Sequence, residues 1–106
     1  MICYIHMKSV PKKLKPSDIE KHLFKLSDWK LNTKQTELFR TFLFPSFVTG
    51  LAFVAKITVH AEVMGHHPDI ELSYGKVKVK LSSHDAGGLT KADFELAKKI
   101  DELTSV

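Results

Sequence analysis

An α+β fold is predicted: a four-stranded antiparallel sheet with three helices packed on one face, in the order α-β-β-α-β-β-α. Three observations predict it. Apolar residues recur at helical spacing in three separated segments. Between them lie two pairs of short strand-like runs. A short polar or glycine turn breaks each pair, and strands joined by so short a turn can only pair antiparallel.

Residues 1–15 show no periodicity and read as a loose arm. Pro16-Ser17-Asp18-Ile19-Glu20 opens the first helix, with Ser17 and Glu20 at capping-box spacing. Ile19, Leu23, Phe24 and Leu26 form its expected buried stripe, and Ser27-Asp28 ends it. A first strand is expected over Trp29–Asn32 and a second over Thr36–Phe44, with Thr33-Lys34-Gln35 as the turn. The longest helix begins at Phe44-Pro45-Ser46 and runs to about Met64, where Gly65 suits its exit. Phe47, Leu51, Val54, Thr58 and Ala61 fall on one face of it. Val48, Ala52, Phe53, Ala55, Val59 and Val63 spread over much of the rest. A helix this apolar buries more than one side, and a small domain has no second element to cover it. A subunit interface on helix 45–64 is therefore expected. Ile70, Leu72 and Tyr74 alternate with Glu71 and Ser73, and Val77, Val79 and Leu81 with Lys76, Lys78 and Lys80, around a turn at Gly75. Thr90-Lys91-Ala92-Asp93 starts the last helix with a second capping box. Phe94, Ala97, Ile100 and Leu103 form its inner face.

Composition narrows the function classes. The 106 residues make one domain, and 43% hydrophobic with 26% charged residues is an ordinary globular mixture. The apolar stretch around Phe42–Ala55 is interrupted by Pro45, Ser46 and Thr49, which argues against a bilayer span. No secretory signal is apparent at the start, and Cys3 is the only cysteine, so no internal disulfide or cysteine zinc site can form. A cytoplasmic protein is expected, with a nuclear location also open. The net charge of +4 comes from lysines, with Arg40 the lone arginine; a solvated surface fits this better than a nucleic-acid interface.

Four of the six histidines, His60, His66, His67 and His84, lie between residues 60 and 84. Histidine titrates near neutral pH and suits general acid–base work. His66 and His67 sit on a corner restrained by Gly65 and by Pro68, which pushes His67 out of the helical region. The start of the strand after Pro68 must face the end of the strand before His84 if the two form a hairpin. Residues 66–68 and 83–85 should therefore meet at one end of the sheet. A single histidine there could serve as a helix C-cap, but two facing a third suggest a site. Three histidine ligands to a metal are the rival, with Glu62, Asp69 and Asp85 as supporting carboxylates. No H-x-H or H-E-x-x-H spacing supports it, and neither metal nor cofactor is expected.

The segment Glu62 to Asp93 resembles the pterin-4a-carbinolamine dehydratase family. It carries Glu62, His66-His67-Pro68, Tyr74, Ser83-His84-Asp85, Gly87-Gly88-Leu89-Thr90 and Asp93 in the family's order, where Ser83 stands for the family's threonine. Trp29 and the Phe42–Phe47 region extend the likeness. The resemblance implies loss of water from 4a-hydroxytetrahydrobiopterin to give quinonoid dihydropterin, in recycling of that cofactor, with 1–106 one such domain. It implies His66 and His84 as the acid–base pair, with the order of roles open, and His67 as a residue that orients the pterin. Glu62, Gly65, Pro68, Ser82, Ser83, Asp85 and Asp93 would bind substrate. Asp93 reads first as a helix cap, a role compatible with the other, and Tyr74 reads as sheet packing in preference to pterin stacking. Gly65 stands where relatives often carry an acid, and Ile70-Glu71 where they often carry Trp-Phe, both at the expected pocket edge. The resemblance implies a homodimer or homotetramer. As the alternative function it implies a non-enzymatic dimerisation module for a homeodomain transcription factor.

Overall fold

The protein is described by a computed structural model over residues 12–104. Its elements are α1 (Pro16–Phe24), β1 (Lys30–Leu31), β2 (Leu38–Leu43), α2 (Phe47–Met64), β3 (Asp69–Ser73), β4 (Lys76–Leu81) and α3 (Lys91–Leu103). The order is the predicted one, and the four strands form one antiparallel sheet. Their spatial order is β1-β2-β4-β3. The β2–β4 pairing runs from Leu38 opposite Leu81 to Leu43 opposite Lys76, so β4 lies inside the sheet. That position matches its sequence, for Val77, Val79 and Leu81 are all fully buried. The outer strands are the two-residue β1 and the acidic β3, whose Glu71 pairs with Lys80 at 3.2 Å and raises that lysine's pKa. Short or charged edges discourage pairing with other chains.

One face of the sheet receives the helices. Leu38, Phe42, Val77, Val79 and Leu81 meet Ile19 of α1, Phe53 and Ile57 of α2, and Phe94, Leu96, Ala97 and Ile100 of α3. Asp101 ties α3 to the far end of the sheet, because its carboxylate accepts from Trp29 Nε1 at 2.8 Å and Arg40 at 2.7 Å.

Several local expectations change. Residues 1–11 of the expected loose arm lie outside the described residues, while Leu14 is anchored: its N–H donates to Leu89 O at 2.8 Å and its side chain packs on the core. No Ser17–Glu20 capping box forms, since Pro16 is already the first helical residue and Ser17 lies inside the helix. Phe24 leaves the predicted stripe and is 91% exposed, because α1 ends there and only Ile19 is fully buried. Tyr74 is not a strand residue but the first turn residue before Gly75, whose φ of 82° closes the hairpin, and its ring is exposed.

α2 is entered differently from the prediction. The helix starts at Phe47, with Ser46 as its cap in a reciprocal box with Thr49, so Pro45 precedes the cap and is not a helical residue. The buried face is Gly50, Phe53, Ile57 and Ala61, so Phe47, Leu51 and Thr58 of the predicted inner face are exposed. Gly50 eases the close approach there: a Cβ would sit 3.1 Å from the Leu72 side chain and 3.4 Å from that of Val77, so both would have to give way slightly. On the opposite side Val48, Leu51, Ala52, Ala55, Val59 and Val63 form an exposed apolar stripe. The continuous 18-residue helix passes the length and composition test for a bilayer span, which the interrupted stretch read from sequence does not. Its inner face is packed on β3 and β4.

Candidate active site

The end of α2 sets the first half of the site. Gly65 adopts φ 64°, its N–H donates to Glu62 O at 3.2 Å, and the His66 N–H donates to Ala61 O at 3.0 Å. This Schellman closure turns the chain sharply and sends the two adjacent histidines apart. His66 points inward, its side chain 16% exposed, while that of His67 is 61% exposed. The second half follows β4. Ser83 and Gly88 exchange backbone hydrogen bonds, Ser83 N–H to Gly88 O at 2.9 Å and Gly88 N–H to Ser83 O at 3.3 Å. Between them His84–Ala86 makes one 3-10 turn, closed by Gly87 at φ 80°. A six-residue loop thus holds His84 at a fixed place beyond the sheet end.

The hairpin register, Asp69 opposite Lys80, brings both halves together. They enclose a cleft of about 320 Å³ lined by Gly65, His66, His67, Ser82, Ser83, His84, Asp85 and Ala86. Seven of these are predicted site residues; Ala86 is not, and an alanine in a loop carries no chemical signal that could have singled it out. That volume lies in the range of sites for small organic ligands.

Three predicted residues stand behind this wall. Asp93 is fully buried, and both its oxygens are used: Oδ1 lies 2.5 Å from His66 Nε2, while Oδ2 accepts from Thr90 N–H at 2.9 Å and Ser83 Oγ at 2.7 Å. It is therefore both the predicted helix cap and the partner of a site histidine. Burying a carboxylate is costly unless such bonds compensate it. Glu62 meets His67, not His66, with Oε2 2.7 Å from Nε2. Both side chains are mostly exposed, so the pair orients His67 with little gain in stability. Pro68 shapes the corner and does not line the cleft. His84 is exposed, and no described residue hydrogen-bonds its ring. Thr90, also fully buried, belongs to the network through its hydroxyl; its capping role was visible in the sequence but this one was not. Among the described residues no group of three or more His, Cys, Asp or Glu is placed to hold a metal ion.

The family model described as pterin 4 alpha carbinolamine dehydratase matches residues 12–103. The chain belongs to the pterin-4a-carbinolamine dehydratase family. A relative from Chloroflexus aggregans named for this dehydratase is 44% identical over 91 residues, 86% of this chain and 96% of that one. One from Acidobacterium capsulatum is 47% identical over 90 residues, 85% and 96% of the two chains. Among solved structures, a transcriptional coactivator/pterin dehydratase from Brucella melitensis superposes with a TM-score of 0.84 at 29% identity, covering 89% of this chain and all of that one. A pterin dehydratase-like protein described as a RuBisCO assembly factor in the alpha-carboxysome gives 0.64 at 26% identity, covering 76% and 93%.

Within this family the two departures separate. Gly65 lines the cleft, and a Cβ built there meets nothing within 4 Å, so the missing acid leaves open space at the rim. Ile70 and Glu71 do not line it, contrary to the sequence expectation: Ile70 packs against the core and Glu71 pairs with Lys80. Strand alternation puts the two on opposite faces of β3, Ile70 toward the helices and Glu71 toward the other side, and neither reaches the cleft.

Proposed function

We propose that this protein is a hydro-lyase that converts 4a-hydroxytetrahydrobiopterin to quinonoid dihydropterin and water, in recycling of the pterin cofactor. The observation that carries the reading is the meeting of His66, His67 and His84 around one cleft in a chain matched by the dehydratase family almost throughout. The reaction breaks the C4a–O bond. The hydroxyl leaves as water after taking one proton, and the neighbouring ring nitrogen gives up its own, so no oxidant or metal is required by the balance. Two proton carriers suffice, and His66 and His84 supply them. Asp93 engages His66 through Nε2, which leaves Nδ1 as the nitrogen for exchange with substrate. His84, open to solvent, can reload from water between turnovers. His67, oriented by Glu62 at the rim, holds the pterin, and Gly65, Pro68, Ser82 and Asp85 shape its seat.

The direct test adds purified protein to freshly made 4a-hydroxytetrahydropterin and follows the quinonoid product by absorbance. A rate equal to buffer alone refutes the proposal. His84→Ala is expected to lower kcat about 100-fold, within the usual range for general acid–base help. Since no described residue hydrogen-bonds the His84 ring, and alanine keeps the backbone bond from Gly87, the variant's thermal unfolding should match the parent. An unchanged kcat would remove the role given to His84.

We further propose a homodimer or homotetramer built on α2, because its exposed stripe lies opposite the face packed on the sheet. A dimerisation module alone would need that stripe but not a buried carboxylate bonded to a cleft histidine, so the enzyme reading is preferred to a transcription-factor partner role. The lone Cys3 suits a reducing compartment, and the cytoplasm is the location this reading assigns.

A further inference from the structure

We propose that Ser83 is a positioning residue of the dehydratase site, acting on His66 through Asp93 and not by contact with substrate; the inference rests on the catalytic reading of the cleft given above. Ser83 is 8% exposed, and its hydroxyl is spent inward. Oγ donates to Asp93 Oδ2 at 2.7 Å and lies 2.9 Å from Thr90 Oγ1. A serine has one hydroxyl hydrogen. With that hydrogen committed to Asp93, the Thr90 hydroxyl must be the donor in the second bond. The donors therefore run in one direction, from Thr90 to Ser83 to Asp93, and each polarises the next.

The far oxygen of the same carboxylate meets His66 Nε2 at 2.5 Å. Oδ2 is held by two donors, Ser83 Oγ–H and Thr90 N–H, so Asp93 cannot rotate about its terminal bond without breaking both. The carboxylate is thereby kept as an acceptor toward the ring, and a ring whose Nε2 carries the proton presents an unprotonated Nδ1. Removing the serine hydroxyl leaves Oδ2 with the Thr90 N–H alone and frees the carboxylate to tilt. The cost falls on the orientation and tautomer of His66, and substrate affinity is spared.

Ser83→Ala and Ser83→Thr test this together. For Ser83→Ala the expected result is a kcat about tenfold lower, equivalent to about 1.4 kcal/mol of transition-state stabilisation, with KM within about twofold of the parent. In the ligand-free protein, the downfield Nε2–H proton resonance of His66 should move upfield or vanish by exchange. Ser83→Thr keeps the hydroxyl and should restore both readouts. An unchanged kcat, a raised KM with kcat intact, or an unmoved His66 resonance each overturns the proposal. If Ser83→Ala does not fold, Thr90→Val removes the outer donor in its place and should act in the same direction on both readouts, by about threefold on kcat. A parent protein without dehydratase activity would instead sink the functional reading, and the resonance would still decide whether Ser83 governs His66.

Discussion

Asp93→Asn should lower kcat by about 100-fold or more, because an amide cannot satisfy the three donors now converging on that carboxylate. Asparagine offers one acceptor oxygen and one NH2. If the NH2 takes the place of Oδ1, it faces His66 Nε2 and favours the tautomer in which Nδ1 carries the hydrogen. The nitrogen left for substrate is then in the wrong state. If the NH2 takes the place of Oδ2, it confronts the Thr90 N–H and the Ser83 hydroxyl, and buried donors are left without an acceptor. Wrong-tautomer effects in histidine catalysis reach about 10,000-fold in the best-studied hydrolases, so 100-fold is a modest expectation. The second arrangement also costs stability, about 1–3 kcal/mol for an unsatisfied buried group. Steady-state kinetics, urea unfolding and the His66 ring signals, measured on one preparation, separate the two arrangements. A kcat within threefold of the parent would show that His66 does not depend on Asp93.

The second large effect concerns α2. Leu51 and Val59 lie on the exposed stripe, at 51% and 60% exposure, opposite Gly50, Phe53, Ile57 and Ala61. Leu51→Glu with Val59→Glu should convert an oligomer into a monomer and raise the dissociation constant at least about 100-fold. An unpaired charge buried in an interface costs about 3–5 kcal/mol, and each 1.4 kcal/mol is tenfold in affinity. Both positions are exposed in the single chain, so thermal unfolding of the monomer should remain cooperative. Light scattering at micromolar concentration reads the outcome. A monomeric parent protein would overturn the interface, and a parent and variant of equal size would move it elsewhere.

Much of the site was legible because its determinants are local. Gly65 ends α2 with a left-handed residue, and the two histidines after it follow that turn wherever the helix sits. Gly75 fixes the β3–β4 hairpin, and a hairpin of known turn places its two ends opposite each other without further information. The direction of individual side chains was less accessible. Glu62 lies one helical turn before His66 in sequence yet bonds His67, because the closure at Gly65 rotates the two rings onto different sides of the corner. Phe24 and Tyr74 fit their periodic patterns but fall where an element stops, so both are exposed.

The sequence by itself determined the elements, their order, the two caps at Gly65 and Thr90, and the meeting of His66 and His67 with His84. Those follow from turn chemistry and from periods of 2 and 3.6 residues, which act over a few neighbours. Only the tertiary structure decided that β4 enters between β2 and β3, which side of the nearly all-apolar α2 faces the sheet, and that Asp93 serves both a helix cap and a histidine. A helix apolar on both sides has no pattern to choose its inner face; the packed molecule buries the side with Gly50, Phe53, Ile57 and Ala61, where the absent side chain of Gly50 eases the approach to Leu72 and Val77. Asp93 likewise caps α3 through Oδ2 by local rules, while Oδ1 reaches His66, 27 residues away, only because the packed sheet end brings the two together.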